Sequence, residues 1–182
     1  MKLAIFLAVA AVVPASAQLG TMKQAPPASV KTAGTMDVPL QTIGALEKDM
    51  DGRISATGGA DPCNLLGQTR GIYVSGLGAI FTAEVELAAT PGGVGLFQTT
   101  VGPAQKAKIH KDKLAHVPLL ETALRDMALS LAASPSLRLS DTDQVVVAVR
   151  LVYRPWEDMT GLPGQILVRL DHRGGIPKVE VQ

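Results

Sequence analysis

The sequence predicts an α+β fold: a single two-layer domain in which an antiparallel sheet of about five strands is packed by one long and one shorter helix. Three observations predict it. Apolar residues recur at three- and four-residue spacing between Leu119 and Leu131, the signature of one helix face. They alternate with polar residues from Ala79 to Leu87 and again from Ile176 to Val181, the period of a half-buried strand. Between these lies DQVVVAVRLVY, residues 143–153, apolar on both faces for most of its length as a central strand is.

The chain opens on a different signal. Lys2 is followed by an apolar run of 11 residues, Leu3 to Val13, and then by Pro14-Ala15-Ser16-Ala17. A short positive start, an apolar stretch too short for a bilayer and small residues at the cleavage positions describe a secretory signal peptide. It covers residues 1–17 and is expected to be cut between Ala17 and Gln18. Residues 18–36 hold Pro26-Pro27 and small polar residues with almost no apolar periodicity, which reads as a flexible tether. Residues 37–182 are then of ordinary size for one domain. No later apolar stretch approaches the roughly 20 residues of a spanning helix, so no transmembrane segment is expected after cleavage. The expected destination is the periplasm or the cell exterior.

Within the domain, Asp37 can cap a helix with Pro39 in its first turn. Leu40, Ile43, Leu46 and Met50 share one face of that helix, and Gly52 suits its left-handed close. Residues 69–88 hold two sets of strand formers, Ile72-Tyr73-Val74 and Ile80-Phe81 with Val85. Ser75-Gly76-Leu77-Gly78 between them favours a hairpin over one bulged strand. Residues 89–104 form a glycine-rich loop with room for a short strand around Leu96 to Val101. The strong part of the long helix starts after Pro118; residues 106–117 either continue it through a kink or stand apart. After residues 143–153, residues 164–171 make another strand, His172-Arg173-Gly174-Gly175 turns, and residues 176–181 form the last. This element order resembles profilin-like or roadblock-like sandwiches, a likeness of element count that carries no function.

Charge excludes some partners. The chain has 17 Lys and Arg against 16 Asp and Glu, so losing Lys2 with the leader leaves it formally neutral. No basic field exists to steer nucleic acid or anionic lipid, and no nucleic-acid partner is expected. The stretch Lys106, Lys108, Lys111, Lys113, broken by Asp112, reads as a solvated helix face. The one cysteine, Cys63, allows no intrachain disulfide. Asp61-Pro62-Cys63-Asn64 offers it no base, so it reads as a small half-buried residue near a turn.

Motif chemistry is thin. Glu47, Asp49 and Asp51 followed by Gly52 resemble the start of a calcium loop, but its bidentate twelfth position falls on Gly58, so the run reads as a helix end. Gly71, Gly76 and Gly78 match neither phosphate-loop pattern and precede no helix. His110 and His116, six residues apart, point about 240° away from each other on a helix. His172 sits in a turn. Glu84 and Glu86 lie two apart on one strand and read as solvent-face charges. Neither a metal site nor a cofactor is expected, and no catalytic residue is assigned.

The loop RPWEDMTGLPG, residues 154–164, stands out. It joins two good strands, carries the only tryptophan and is restrained by two prolines. Trp and Arg are favoured interface anchors, and loops on a rigid sheet often carry function. Arg154, Trp156, Glu157, Asp158 and Met159 are therefore the expected binding surface. The expected function is an exported, non-enzymatic domain that binds another protein or an envelope component. An alternative is a carrier of small apolar ligands, with a pocket between helix and sheet lined by Tyr73, Phe81, Leu120, Leu124 and Met127. A second alternative is an enzyme whose site follows no motif.

Overall fold

The computed structural model describes residues 38–90, 101–173 and 175–182. The expected leader, tether, Asp37 cap and strand around Leu96 lie outside them. Helix α1, Leu40–Ala56, buries Ile43, Met50 and Ile54, a stripe at four- and seven-residue intervals that keeps to one face. Leu40, expected in that stripe, is instead 86% exposed, because it sits at the very start of the helix. Gly52 does not end the helix as expected. Ile54 is fully buried one half-turn later. Burying such a side chain stabilises by about 1.5–3 kcal/mol, which outweighs the roughly 1 kcal/mol a mid-helix glycine costs. The helix stops at Thr57, whose hydroxyl donates to the Arg53 carbonyl at 3.0 Å.

The carboxylates of the calcium-like run serve the backbone. Glu47 Oε1 accepts the Gly71 N–H at 2.7 Å and Asp51 Oδ1 accepts the Thr69 N–H at 2.8 Å. Strand β2, Arg70–Val74, lies at the sheet edge, where outward N–H groups otherwise stay open for pairing with other chains. Helix α1 closes part of that edge. Strand β1, Asn64–Leu65, is only two residues long and pairs with the far end of β3.

Strands β2 and β3, Gly78–Glu86, form the expected hairpin, with the Leu77 N–H donating to Val74 O at 3.0 Å. Gly78 closes the turn at φ +114°, and a Cβ there would run into the backbone of Gln144 on the neighbouring strand. Both facts require glycine.

Helix α2 runs unbroken over 30 residues, Pro103–Ala132, with Pro118 inside it. Of the two alternatives for residues 106–117, the first holds: they continue the same helix through Pro118. Proline removes one helical hydrogen bond and costs about 3 kcal/mol in an interior. Here it sits on the exposed side, while Ile109, Lys113, His116, Leu120, Leu124, Met127 and Leu131 are buried along one seam on both sides of it. Packing of both halves holds the helix through the break.

Strands β4, Gln144–Leu151, β5, Gln165–Asp171, and β6, Lys178–Val181, complete a sheet of six strands. The sheet is mostly antiparallel. Its parallel pair, β3–β4, is the one joined by α2, because parallel neighbours need a long crossover. Both helices contribute to one core with the inward residues of β3, β4 and β5, so they cover the same face. The opposite face of the sheet carries residues such as Thr82, Glu84, Arg150 and Arg169, all exposed.

At the start of β4, Asp143 is 1% exposed. Its Oδ2 accepts the Ser140 N–H and the Tyr73 hydroxyl, both at 2.8 Å. Burial opposes the charge, yet the bonds from Ser140 and Tyr73, helped by His172, hold the carboxyl below the usual carboxylate range. That same hydrogen bond pushes the Tyr73 hydroxyl up. A carboxyl whose folded pKa is depressed adds stability that is fully present above its unfolded value, about 4, and is lost as pH falls through the folded value. Asp143→Asn is expected to lower stability at pH 7 by about 1–3 kcal/mol, since the amide oxygen is a neutral, weaker acceptor for the two donors and its NH2 group takes the buried Oδ1 position, which has no hydrogen-bond partner. Urea melts across the acid range should show this deficit shrinking as the wild-type carboxyl protonates. A deficit that is constant down to the lowest pH would contradict the account.

Candidate functional site

The loop between β4 and β5 and the first half of α2 meet at a buried cluster of charge. Lys113 is fully buried and its Nζ lies 2.6 Å from Glu157 Oε2 and 3.7 Å from Glu86 Oε1. The Glu157 and Glu86 side chains are 3% and 4% exposed. Arg154 Nε stands 3.8 Å from Glu86 Oε1, from the more exposed rim. Glu157 Oε1 also accepts the Arg154 N–H at 3.1 Å and the Thr90 hydroxyl at 3.4 Å. Glu86 Oε2 accepts from the Asn64 side chain at 3.4 Å. Two cations thus face two carboxylates, the condition under which buried charge is tolerated.

Tyr153 forms one wall. Its ring lies under Lys113 Nζ, 5.3 Å from the centroid, a cation–π distance. Its hydroxyl donates to the Pro163 carbonyl at 2.7 Å and so draws the two ends of the loop together. Burial, then the Glu157 charge, pushes this hydroxyl up to about 12. It therefore stays a donor at physiological pH.

The expected binding residues divide. Glu157 turns inward and is no part of an open surface, contrary to expectation, because it makes the short 2.6 Å contact to the buried Lys113, to which Glu86 comes only within 3.7 Å. Asp158 is exposed and organises the loop: Oδ1 accepts the Thr160 N–H at 2.9 Å and the Thr160 hydroxyl at 2.7 Å. Those bonds, the backbone one first, hold its carboxyl below the usual range. Its carbonyl faces His110 Nδ1 at 3.0 Å, another tie to α2. Trp156 is half-buried beneath Lys106, whose Nζ lies 5.5 Å from the ring centroid. Arg154 and Met159 point outward, Met159 being 43% exposed. Beside them Leu114, 38% exposed, lies against Gly161.

The carrier residues fill the interior. Phe81, Leu120, Leu124 and Met127 are fully buried in the common core, and Tyr73 is half-buried with its hydroxyl on Asp143. Two concavities are described, and neither is lined by these residues: a groove of about 460 Å³ over the outer sheet face and one of about 310 Å³ between the end of α2 and β5.

Three further expectations are corrected. Lys113 is not part of a solvated face; it replaces an apolar residue in the buried seam of α2. Glu86 does not share the solvent exposure of Glu84, which pairs with Arg150 at 3.2 Å in the open. Cys63 is 3% exposed, more buried than expected, with Sγ 3.5 Å from the Leu87 carbonyl. Burial, then the Asp61 charge, pushes its thiol up to about 11, so it carries almost no thiolate near neutrality. His116 lies buried with Nδ1 2.6 Å from Asp112 O and Nε2 2.6 Å from Asp61 O, which ties α2 to the α1–β1 loop. His172 is half-buried, its Nδ1 3.2 Å from Ala132 O. Among the described residues no group of three or more His, Cys, Asp or Glu is placed to hold a metal ion, and no helix is long and apolar enough to cross a membrane.

No protein-family model, curated protein or solved structure matches the chain.

Proposed function

We propose that the chain is an exported, non-enzymatic domain that binds another protein or an envelope component through the loop 154–164. The observation that carries this reading is the inward turn of Glu157 onto Lys113 at 2.6 Å. It braces the loop from beneath, with help from Tyr153 and Asp158, while Arg154, Met159 and part of Trp156 face outward beside Leu114. A loop ordered in advance does not lose the roughly 0.5–1.5 kcal/mol per side chain that ordering at an interface costs. Aromatic, Met and Arg side chains are the types that anchor such contacts. The ionisable groups of the cluster are engaged with one another, which supports a bracing role over a catalytic one. The signal-peptide pattern of residues 1–17 supports export.

The test is cross-linking of the tagged protein in its own cell envelope, followed by co-purification. The expected result is a reproducible partner that is lost in Met159→Glu and in Trp156→Ala. Met159 is exposed, so its variant should melt at the wild-type temperature. Recovery of the same partner with Met159→Glu, or of none with the wild type, would overturn the reading.

A further inference from the structure

We propose that the sheet face turned away from the helices binds a second copy of this chain, about a two-fold axis running along β4. This surface is separate from the loop 154–164.

The helices leave this face open, and strand pairing places its apolar residues in rows. Ile72, Ile80 and Val146 stand opposite one another across β2, β3 and β4, and Ala148 and Leu167 are paired in the next row. Ile72 is 56% exposed, and Val74 and Leu77 extend the apolar surface at the hairpin with 39% and 44%. Antiparallel sheets commonly leave one face to water, but that face is then regularly polar. Here aliphatic side chains share its middle with Arg150 on β4 and Arg169 on β5. Five strands about 4.8 Å apart make a face broad enough for the roughly 800 Å² per partner that a stable interface buries.

Charge complementarity selects the occupant. The row Arg70–Thr82–Ala148–Leu167–Glu180 runs from a cation on β2 to an anion on β6, with β4 in the middle. A two-fold axis along β4 exchanges β2 with β6 and β3 with β5. It sets Arg70 against Glu180 of the second copy, and the reverse pair forms by symmetry, as an isologous contact demands. Val146 and Ala148 meet their own counterparts on the axis. Leu167 of the second copy comes over Thr82, on the wall of the 460 Å³ groove that Arg70, Thr82 and Ala148 also line. In the adjoining row Lys178 comes over Ile72 and Arg169 over Ile80, where their methylene stems can cover the isoleucines while their charges stay wet. Arg150 also lies near the axis, and its pairing with Glu84 at 3.2 Å tempers the like-charge approach.

The experiment measures the mass of the exported protein by sedimentation velocity, for the wild type, Arg70→Glu, Glu180→Arg, the double variant R70E/E180R, and an equimolar mixture of the two single variants. Both positions are exposed, so all should fold, and melting curves check this. The expected result is a wild-type dimer weakened at least about tenfold in each single variant, because like charges then oppose each other twice. The double variant should restore it. The mixture should restore it too, since one single variant carries two anions where the other carries two cations. A wild type that is monomeric up to about 100 μM would overturn the proposal, a micromolar Kd being saturated there. So would a dimer indifferent to both single variants, which uses another surface, or single variants that neither the double variant nor mixing rescues. If a different protein covers this face, the wild type sediments as a monomer alone. Loss of the envelope partner in Met159→Glu is read independently of all these outcomes.

Discussion

Lys113→Met is expected to lose about 3–5 kcal/mol of stability, among the largest effects open to a single change outside the aliphatic core. Methionine fits the volume and keeps the seam of α2 apolar. It leaves Glu157 and Glu86, 3% and 4% exposed, without their central cation. Glu157 then retains only neutral donors, the Arg154 N–H and the Thr90 hydroxyl. The loss comes from stranded charge rather than from a missing attraction, and this can be separated by experiment. Adding Glu157→Leu to Lys113→Met should recover much of the loss, because replacing both partners of a buried pair by apolar side chains is often neutral or stabilising. Urea denaturation of the wild type, the two single variants and the double variant closes the cycle. A double variant as unstable as the sum of the singles would show that the pair does not act as a unit. The double variant also bears on function. If Glu157 serves to brace the loop, it should keep the fold yet loosen the presentation of Trp156 and Met159, and partner capture should weaken.

That cluster was the least legible part of the chain, for a physical reason. The buried seam of α2 runs Ile109, Lys113, His116, Leu120, Leu124, Met127, Leu131, at the three- and four-residue spacing of one helix face. Its apolar second half was readable from residues 119–131 alone. In the first half a lysine and a histidine occupy seam positions, and with Pro118 between the halves the apolar periodicity breaks there. A seam extended by spacing alone, whatever its residue types, points to Lys113 and His116 as buried polar groups in need of partners. It does not say which. Glu86 lies 27 positions before Lys113 and Glu157 lies 44 after it, brought together by the crossover that makes β3 and β4 parallel. Local pattern carried the strands well, since alternation in residues 79–87 and the doubly apolar residues 143–153 report burial directly. It carried the position of the loop 154–164, bounded by two strong strands, but not the direction of its side chains. Glu157 and Asp158 are neighbours of the same charge, and only the opposing Lys113 decides that one turns in and the other out. The use of Glu47 and Asp51 was equally hidden, because their partners are backbone N–H groups of a strand, which no sequence pattern displays.

Phe81→Ala is expected to cost about 3–5 kcal/mol, the usual range for an aromatic removed from a core. Phe81 is fully buried and paired across the β2–β3 hairpin with Gly71. Its ring lies over that glycine. A Cβ on Gly71 would stand 2.6 Å from Phe81 Cε1 and 2.9 Å from Ile43 Cγ2, closer than packed atoms come. The glycine is thus required by space, and the aromatic ring covers the gap it leaves in an edge strand. Two consequences can be told apart from a generic core defect. Gly71→Ala in the wild type should overpack the junction of α1, β2 and β3 and lose about 1–3 kcal/mol. In the Phe81→Ala background the same change should cost far less, because the ring that opposed the new methyl is gone and only the Ile43 contact remains. The coupling read from urea melts of the four proteins is expected to reach about 1 kcal/mol or more, as it does for residues in direct contact. Additive losses would mean that the strand shifts to accept the methyl. The hairpin would then owe its register to Gly78, where a side chain meets the backbone of β4, and to the two α1 carboxylates on the N–H groups of Thr69 and Gly71.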